Sequence, residues 1–323
     1  MMSFEGKEAP ALRELVDWIN TKELSFEHYR GTVRFIEFWD HTDVSSMRSC
    51  EFTQRLWERY GQTNFVAIGI HTPEYIFEWE PSNVAAAVER FGITYPAALD
   101  NNKTNWVHYG NRYIPKQFVI AQDDTVASEH VGEGNEYKIE ATIRTLLERE
   151  GAELPRPLWS EGSSIVSGIT DVSRPLYLGF RQVMGLRKAP TLVPAATRIA
   201  RDDGGPYDDD IAYLDGEWRQ YDEYVEHEGD GEGSLTYRFF ASSVFAVITT
   251  IREGDRIGIE LDEGELPPGT AVPGPLCPGC DGKELDVTYS GLYHLLSLPE
   301  PGHHTLTLRV AGPGVRIYVL SFE

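Results

Sequence analysis

Cysteine is scarce in this chain, with three among 323 residues. That scarcity excludes a fold stapled by several disulfides, so burial of apolar side chains must hold the protein together. Positive charge is also short: Lys and Arg total 29 against 51 Asp and Glu, a formal charge of -22. The phosphate term dominates binding to nucleic acid and to anionic membranes, and here it is repulsive, so neither is expected as a partner. Few of the basic residues are lysines, and the acid excess is spread along the chain. That pattern suits a salt-rich cytoplasm and, almost as well, an ordinary acidic protein. No run approaches the roughly 18 apolar residues of a membrane span. Residues 1–10 are acidic and polar, not basic then apolar as a secretion signal requires. The expectation is a cytoplasmic protein that inserts no segment into a membrane and carries no cofactor.

What is present is enough chain for two domains of ordinary size. The first half alternates strand and helix signals, the mark of an α/β layer fold with a partly parallel sheet. Residues 33–39 and 64–70 read as buried strands, and a helix is expected over 44–60 with Gly61 as its stop. Ser82 is placed as the cap of a short helix over 83–91. Residues 117–121 and 125–130 flank Asp123-Asp124 as a hairpin, and Ile139, Ile143, Leu146 and Leu147 recur at helical spacing. After residue 150 the chain becomes rich in Pro, Ser, Gly and Asp, as a connector that packs in places, up to about 210. From 211 onward it reads as all-β, with strands expected at 235–239, 244–251, 257–261, 291–298, 305–310 and 315–322. Short strands at this spacing argue for a β-sandwich or jelly roll.

Five motifs occur in order over about 110 residues. Arg30-Gly31-Thr32-Val33 runs into Phe38-Trp39. Gly69-Ile70-His71-Thr72-Pro73-Glu74 follows, then Gly92-Ile93-Thr94-Tyr95-Pro96, then Tyr109-Gly110-Asn111-Arg112-Tyr113-Ile114-Pro115, then His130-Val131-Gly132-Glu133-Gly134. Together they resemble the thioredoxin-like domains of the TlpA and DipZ type, and most closely the soluble C-terminal region of DipZ proteins. Tyr177-Leu178-Gly179-Phe180 and the all-β tail fit the same plan. The resemblance implies an α/β thioredoxin-like domain over 1–150, a connector over 151–210, and an all-β sandwich (jelly-roll) domain over 211–323 that is similar to a carbohydrate-binding module.

In that family a Cys-x-x-Cys opens the helix that follows the Phe-Trp pair. Helix amides and the helix dipole stabilise a thiolate there, and the second thiol closes the disulfide. Here the segment is Asp43-Val44-Ser45-Ser46, so Asp43 and Ser46 stand at the two cysteine positions. Neither can form a disulfide, and the family's exchange reaction cannot run at this place. An aspartate before a helix accepts amide hydrogen bonds, so Asp43 reads as an N-cap. Cys50, one helical turn beyond Ser46, reads as a core-facing helix cysteine or as a displaced one-cysteine site. Glu37 occupies the place where thioredoxins keep a buried acid, and burial should raise its pKa. Glu37, His41 and Asp43 could together run acid/base chemistry or bind a divalent metal, or could belong to a solvated loop. The resemblance implies a cis Pro115 opposite the dithiol position. The backbone of Ile114 would then pair with an extended substrate chain beside Trp39, unless the turn serves only the fold.

In the second half, Cys277-Pro278-Gly279-Cys280 has a turn signature that brings two thiols within disulfide reach. It can be a loop-closing or reduced pair, an exchange site, or half of a zinc site completed by His303 and His304. Tyr213, Trp218, Tyr221 and Tyr224 could stack on sugars or pack a core or an interface. Three functions remain open. One is a dithiol-free thioredoxin-fold protein that binds a protein or peptide partner at the Pro115 groove and could pair with a second copy of itself. Another is a thiol-disulfide or peroxide-reducing redoxin using Cys277 and Cys280, or Cys50. The third is a repurposed site at Glu37, His41 and Asp43.

Overall fold

The computed structural model describes residues 3–22, 29–162, 172–182, 197–209, 211–252, 254–262, 264, 266, 269–271, 273 and 283–323. The chain divides into two compact units, Met1–Gly168 and Ile169–Glu323. In the first, the elements run β1 (Trp18–Ile19), β2 (Val33–Trp39), α1 (Val44–Tyr60), β3 (Phe65–His71), α2 (Pro81–Arg90), β4 (Ala97–Leu99), α3 (Thr104–His108), β5 (Lys116–Ile120), β6 (Val126–Val131) and α4 (Glu136–Arg149). They form a six-stranded sheet in the order β1-β4-β3-β2-β5-β6. β2, β3 and β4 are parallel; β5 and β6 return antiparallel. This is a thioredoxin-like fold.

Every residue of β2, β3 and β5 is buried, because both faces of the sheet are covered. That explains the unbroken apolar runs where a half-exposed strand would alternate. On one face Phe35 and Trp39 pack with Phe52, Leu56 and Tyr60 of α1 and Ile139, Ile143 and Leu147 of α4. On the other, Ile36 and Phe38 pack with Ile68, Ile70 and Phe118. Glu37 lies on the α1 side of this pattern as a fully buried acid. α1 begins and ends where its cap residues say it should, after Asp43 and before Gly61. α2 does not. It starts at Pro81 with Glu80 at the N-cap position, which makes no side-chain cap bond, so Ser82 lies inside the first turn. The fixed φ of proline already suits a first helical residue and sets the start two residues earlier.

The second unit comprises β7 (Leu176–Tyr177), β8 (Thr197–Ala200), β9 (Ala212–Gln220), β10 (Val225–His227), β11 (Glu232–Thr250), β12 (Arg256–Leu261), β13 (Glu284–Asp286), β14 (Gly291–Ala311) and β15 (Val315–Phe322). All their pairings are antiparallel and enclose one core, in which Leu214, Trp218, Phe239, Ile259, Leu308 and Leu320 meet. β11 pairs with β14 along its length, with β9 near its start and with β15 near its end. The separate strands expected at 235–239 and 244–251 are therefore one strand, as are those at 291–298 and 305–310. The Pro299-Glu300-Pro301 segment between the two expected strands is accommodated as a bulge, since the register steps from Ala241↔Gly302 to Ser243↔Ser297. β9 is hidden in the sequence by Asp215-Gly216, which looks like a turn. Gly216 instead stays in the strand at φ 103°, where an added Cβ would lie 2.9 Å from the Gly233 Cα.

Within residues 151–210 the described portions pack as part of each unit. Trp159 is buried against Phe52, and Leu176 and Leu178 enter the β core. Gly179 is the tightest approach in this stretch: a Cβ there would lie 2.3 Å from the Glu223 carbonyl carbon and 2.4 Å from the Asp222 oxygen. Backbone cannot rotate aside as a long side chain can, so Gly179→Ala is expected to cost at least the ~1–3 kcal/mol of an overpacked core. The check is the denaturant midpoint of the β unit's transition, which should fall.

Candidate functional site

β2 and β3 end side by side, with Trp39 opposite His71 in register. The chain then leaves β2 through Asp40-His41-Thr42 and enters α1 at Asp43. The Asp43 Oδ1 accepts the Ser46 N–H at 2.7 Å and the Ser45 hydroxyl at 2.6 Å. This is the N-cap read from the sequence. The Ser46 hydroxyl accepts the Asp40 N–H at 3.3 Å and ties the loop to the first turn of the helix.

His41 turns inward, toward β3. Its Nδ1 lies 2.8 Å from Nε2 of His71, and the two rings stack at 5.0 Å. A 3-10 turn, Ile76–Trp79, brings Glu78 to the same place, with Oε2 3.9 Å from His71 Nε2. The Thr42 hydroxyl lies 2.8 Å from Asp40 Oδ1 and 2.9 Å from Glu78 Oε1. The Glu74 N–H donates at 3.0 Å to both carboxylates. One metal-ligating atom from each of Asp40, His41, His71 and Glu78 lies within 4.8 Å of the others. Each of the four is at most 1% exposed.

Burial sets the electrostatics. It pushes His71 down to about 3 and His41 well below the usual imidazole range, the latter helped by His71 and Arg90. It lifts Asp40 to about 6 against the hydrogen bonds from Thr42, and lifts Glu78 well above the ordinary carboxyl range with the Asp40 charge adding to the effect. The threonine supports this assignment. Its hydroxyl has one proton to donate, so it cannot serve ionised Asp40 and ionised Glu78 together.

Glu37 belongs to a different cluster. Its carboxyl accepts the Ser49 hydroxyl, the Thr53 hydroxyl at 2.6 Å and the Gln117 amide at 3.3 Å. None of these is a partner of His41 or Asp43, so the expected convergence of Glu37, His41 and Asp43 is corrected: His41 turns to Asp40, His71 and Glu78. Cys50 lies by the Glu37 cluster, 1% exposed in the apolar core. Burial first and Glu37 second raise its thiol pKa well above the ordinary value, opposite to what a nucleophile needs. Trp39 is fully buried between the sheet and α1, so it lines no groove, contrary to expectation. The Ile114–Pro115 bond is cis, Pro115 is buried with its carbonyl accepting the Gly132 N–H at 2.8 Å, and Ile114 is half-buried. Tyr113 beside them is 64% exposed.

Three members of the histidine–carboxylate cluster escaped the sequence reading. Asp40 and His71 carried a signal, being adjacent to His41 or part of a quoted motif. Glu78 carried none, because only the 3-10 turn brings it back over the strand ends. Cys277 and Cys280 lie outside the described residues. His303 and His304, offered as zinc ligands with them, lie 3.9 Å from Asp209 and 2.7 Å from Asp262. Of the four aromatics, Trp218 is fully buried with its indole N–H on the Asp215 carbonyl, and Tyr221 stacks on Tyr224 at 4.8 Å. No helix among the described residues is long and apolar enough to cross a membrane.

The family described as thioredoxin like C-terminal domain matches residues 173–322. Protein DipZ of Mycobacterium tuberculosis (strain CDC 1551 / Oshkosh) is 37% identical over 154 residues, 46% of this chain and 22% of that protein. The chain thus spans about a fifth of the DipZ proteins it matches. Thiol-disulfide oxidoreductase ResA of Bacillus anthracis is 22% identical over 143 residues, 44% of this chain and 78% of that one. Among solved structures, thioredoxin-like superfamily protein SPOA0173 aligns with TM-score 0.41 and 23% identity, covering 46% of this chain and 99% of that one. The chain resembles thioredoxin-like proteins of the TlpA and DipZ type.

Two outcomes test these environments. In a Cys277→Ser/Cys280→Ser variant, Cys50 should not react with a thiol reagent at pH 8 until denaturant is added; fast native labelling would contradict the burial. Burial raises the Glu37 carboxyl in the folded state, so its contribution to stability is present at acid pH and lost as pH rises through the unfolded value toward the raised one. Glu37→Gln cannot ionise, so its melting temperature relative to wild type should be more favourable at pH 8 than at pH 4.

Proposed function

We propose that this thioredoxin-like chain has given up dithiol exchange at the family's usual place and works by binding an extended polypeptide beside Pro115. The observation that carries the reading is the Asp43 carboxylate on the Ser46 amide at 2.7 Å, filling the helix-terminal position that a reactive thiolate would need. A carboxylate there stabilises the helix and forms no mixed disulfide.

The binding half of the reading rests on what surrounds that terminus. Tyr113 precedes the cis Ile114–Pro115 bond, Val131 pairs across from Lys116, and Ile76 and Trp79 sit on the 3-10 turn. All four are exposed large apolar side chains on segments that meet the ends of β2, β3, β5 and β6 at the same end of the sheet. An extended chain laid across this end would find apolar side chains for contact. The β unit, which we read as a jelly-roll sandwich similar to carbohydrate-binding modules, serves as a packing or dimerising partner domain. The buried Trp218 favours that role over sugar stacking.

A second reading, exchange through Cys277 and Cys280, is separable by experiment. The reduced wild type should leave insulin disulfides intact, and turnover that disappears in Cys277→Ser would overturn the proposal in favour of the redoxin. Reduced, carboxymethylated α-lactalbumin, an extended-chain probe without free thiols, should bind the wild type and bind Tyr113→Asp about tenfold more weakly. That factor corresponds to ~1.4 kcal/mol. Absence of binding to the wild type would remove the binding half.

A further inference from the structure

Asp40 and Glu78 set an unusual problem of charge. They are neighbouring carboxyl groups, both fully buried, and among the described residues neither forms an ion pair with a lysine or arginine. Beyond the hydrogen bond the two carboxyls make with one another, their four oxygens receive three donors: the Thr42 N–H, the Thr42 hydroxyl and the Glu74 N–H. The hydroxyl and the Glu74 N–H each face both groups. A buried anion without a compensating charge is costly, so something must neutralise this pair, either retained protons or a cation.

The two histidines point to a cation. His41 Nδ1 and His71 Nε2 face one another at 2.8 Å on the side where Glu78 Oε2 approaches to 3.9 Å. Two imidazoles can share a single N–H···N bond there. The outer nitrogens, His41 Nε2 and His71 Nδ1, are buried without a hydrogen-bond partner. That arrangement leaves one outer N–H and one outer lone pair unmatched. If both facing nitrogens instead gave their lone pairs to a metal, both outer nitrogens would carry protons, and the number of unmatched groups would stay at two. A bound metal therefore adds no unsatisfied group at the histidines and removes the charge imbalance at the carboxylates.

From this geometry we infer that Asp40, His41, His71 and Glu78 form a closed structural site for one divalent first-row transition ion. Two carboxylates and two imidazoles with a dication sum to zero charge. The mixed nitrogen and oxygen donor set suits Zn2+, Fe2+, Mn2+ or Co2+ and not Ca2+ or Mg2+, which take oxygen ligands. With bonds of ~2.0–2.2 Å, ligand atoms in a tetrahedral shell lie about 3.3 Å apart. The observed range, from 2.8 Å to within 4.8 Å, reaches that shell by small side-chain rotations. Four protein ligands and almost no exposure leave no place for a substrate, so the site would brace the fold. It would bind the loop after β2, the end of β3 and the 3-10 turn into one unit beside the α1 terminus. The inference stands independently of the polypeptide-binding reading.

The test uses the full chain without a histidine tag, expressed with added Zn2+ or Co2+ and analysed for metal. We expect about one ion per chain. The Co2+ form should show visible d–d absorption without the near-ultraviolet sulfur charge-transfer band that a Cys277–Cys280 site would give. His71→Gln and Glu78→Gln should each lower metal content at least tenfold, while Glu37→Gln and Cys277→Ser/Cys280→Ser retain it. Metal below about a tenth of an equivalent in the wild type would overturn the inference. So would full loading of both His71→Gln and Glu78→Gln, or loss of metal only in the double cysteine variant. If the ligand variants fail to fold, the wild-type stoichiometry and Co2+ spectrum decide the matter.

Discussion

The first amides of α1 have no partner within the helix, and the architecture around them follows from how they are satisfied. Asp43 meets this requirement with a carboxylate that bonds Ser46 N–H and Ser45 Oγ. A cap of this kind contributes roughly 0.5–2 kcal/mol. Because Asp43 is fixed by the helix, the three residues before it have few choices. Asp40 is tied to Ser46 through its amide, and His41 faces the end of β3 and the 3-10 turn. The cap at this helix terminus thus also fixes the loop that carries the polar cluster.

The same strand that feeds this loop also explains which parts of the fold could be read from sequence. β2 is buried on both faces, so its apolar run is continuous, and the one acid inside it, Glu37, is conspicuous as soon as the strand is recognised. α1 has a capping residue at one end and a glycine at the other, and both ends fall where those residues indicate. The long strands of the β unit are different. Whether Pro299-Glu300-Pro301 ends a strand or bulges from it depends on Gly302 pairing with Ala241 and Ser297 with Ser243, contacts that lie more than fifty residues away in the chain. Local turn chemistry carries no information about that partner. Glu78 was hidden for a related reason: its place in the site comes from the path of the 3-10 turn, not from any spacing relative to His41.

The two buried acid clusters on this domain show opposite solutions to one constraint. Glu37 receives three separate side-chain donors, from Ser49, Thr53 and Gln117, for its two oxygens. The three elements involved, β2, α1 and β5, are all rigid, so the donors are held in place and the group needs nothing from outside. Asp40 and Glu78 have fewer donors than oxygens, and the Thr42 hydroxyl and the Glu74 amide are divided between them. Their supports are a loop and a 3-10 turn, which fix geometry less firmly than strands do. An acid with its full complement of donors can remain a structural acid indefinitely. A pair that must share donors, lying against two imidazoles whose lone pairs can converge, has chemistry left over, and a single dication would absorb all of it at once.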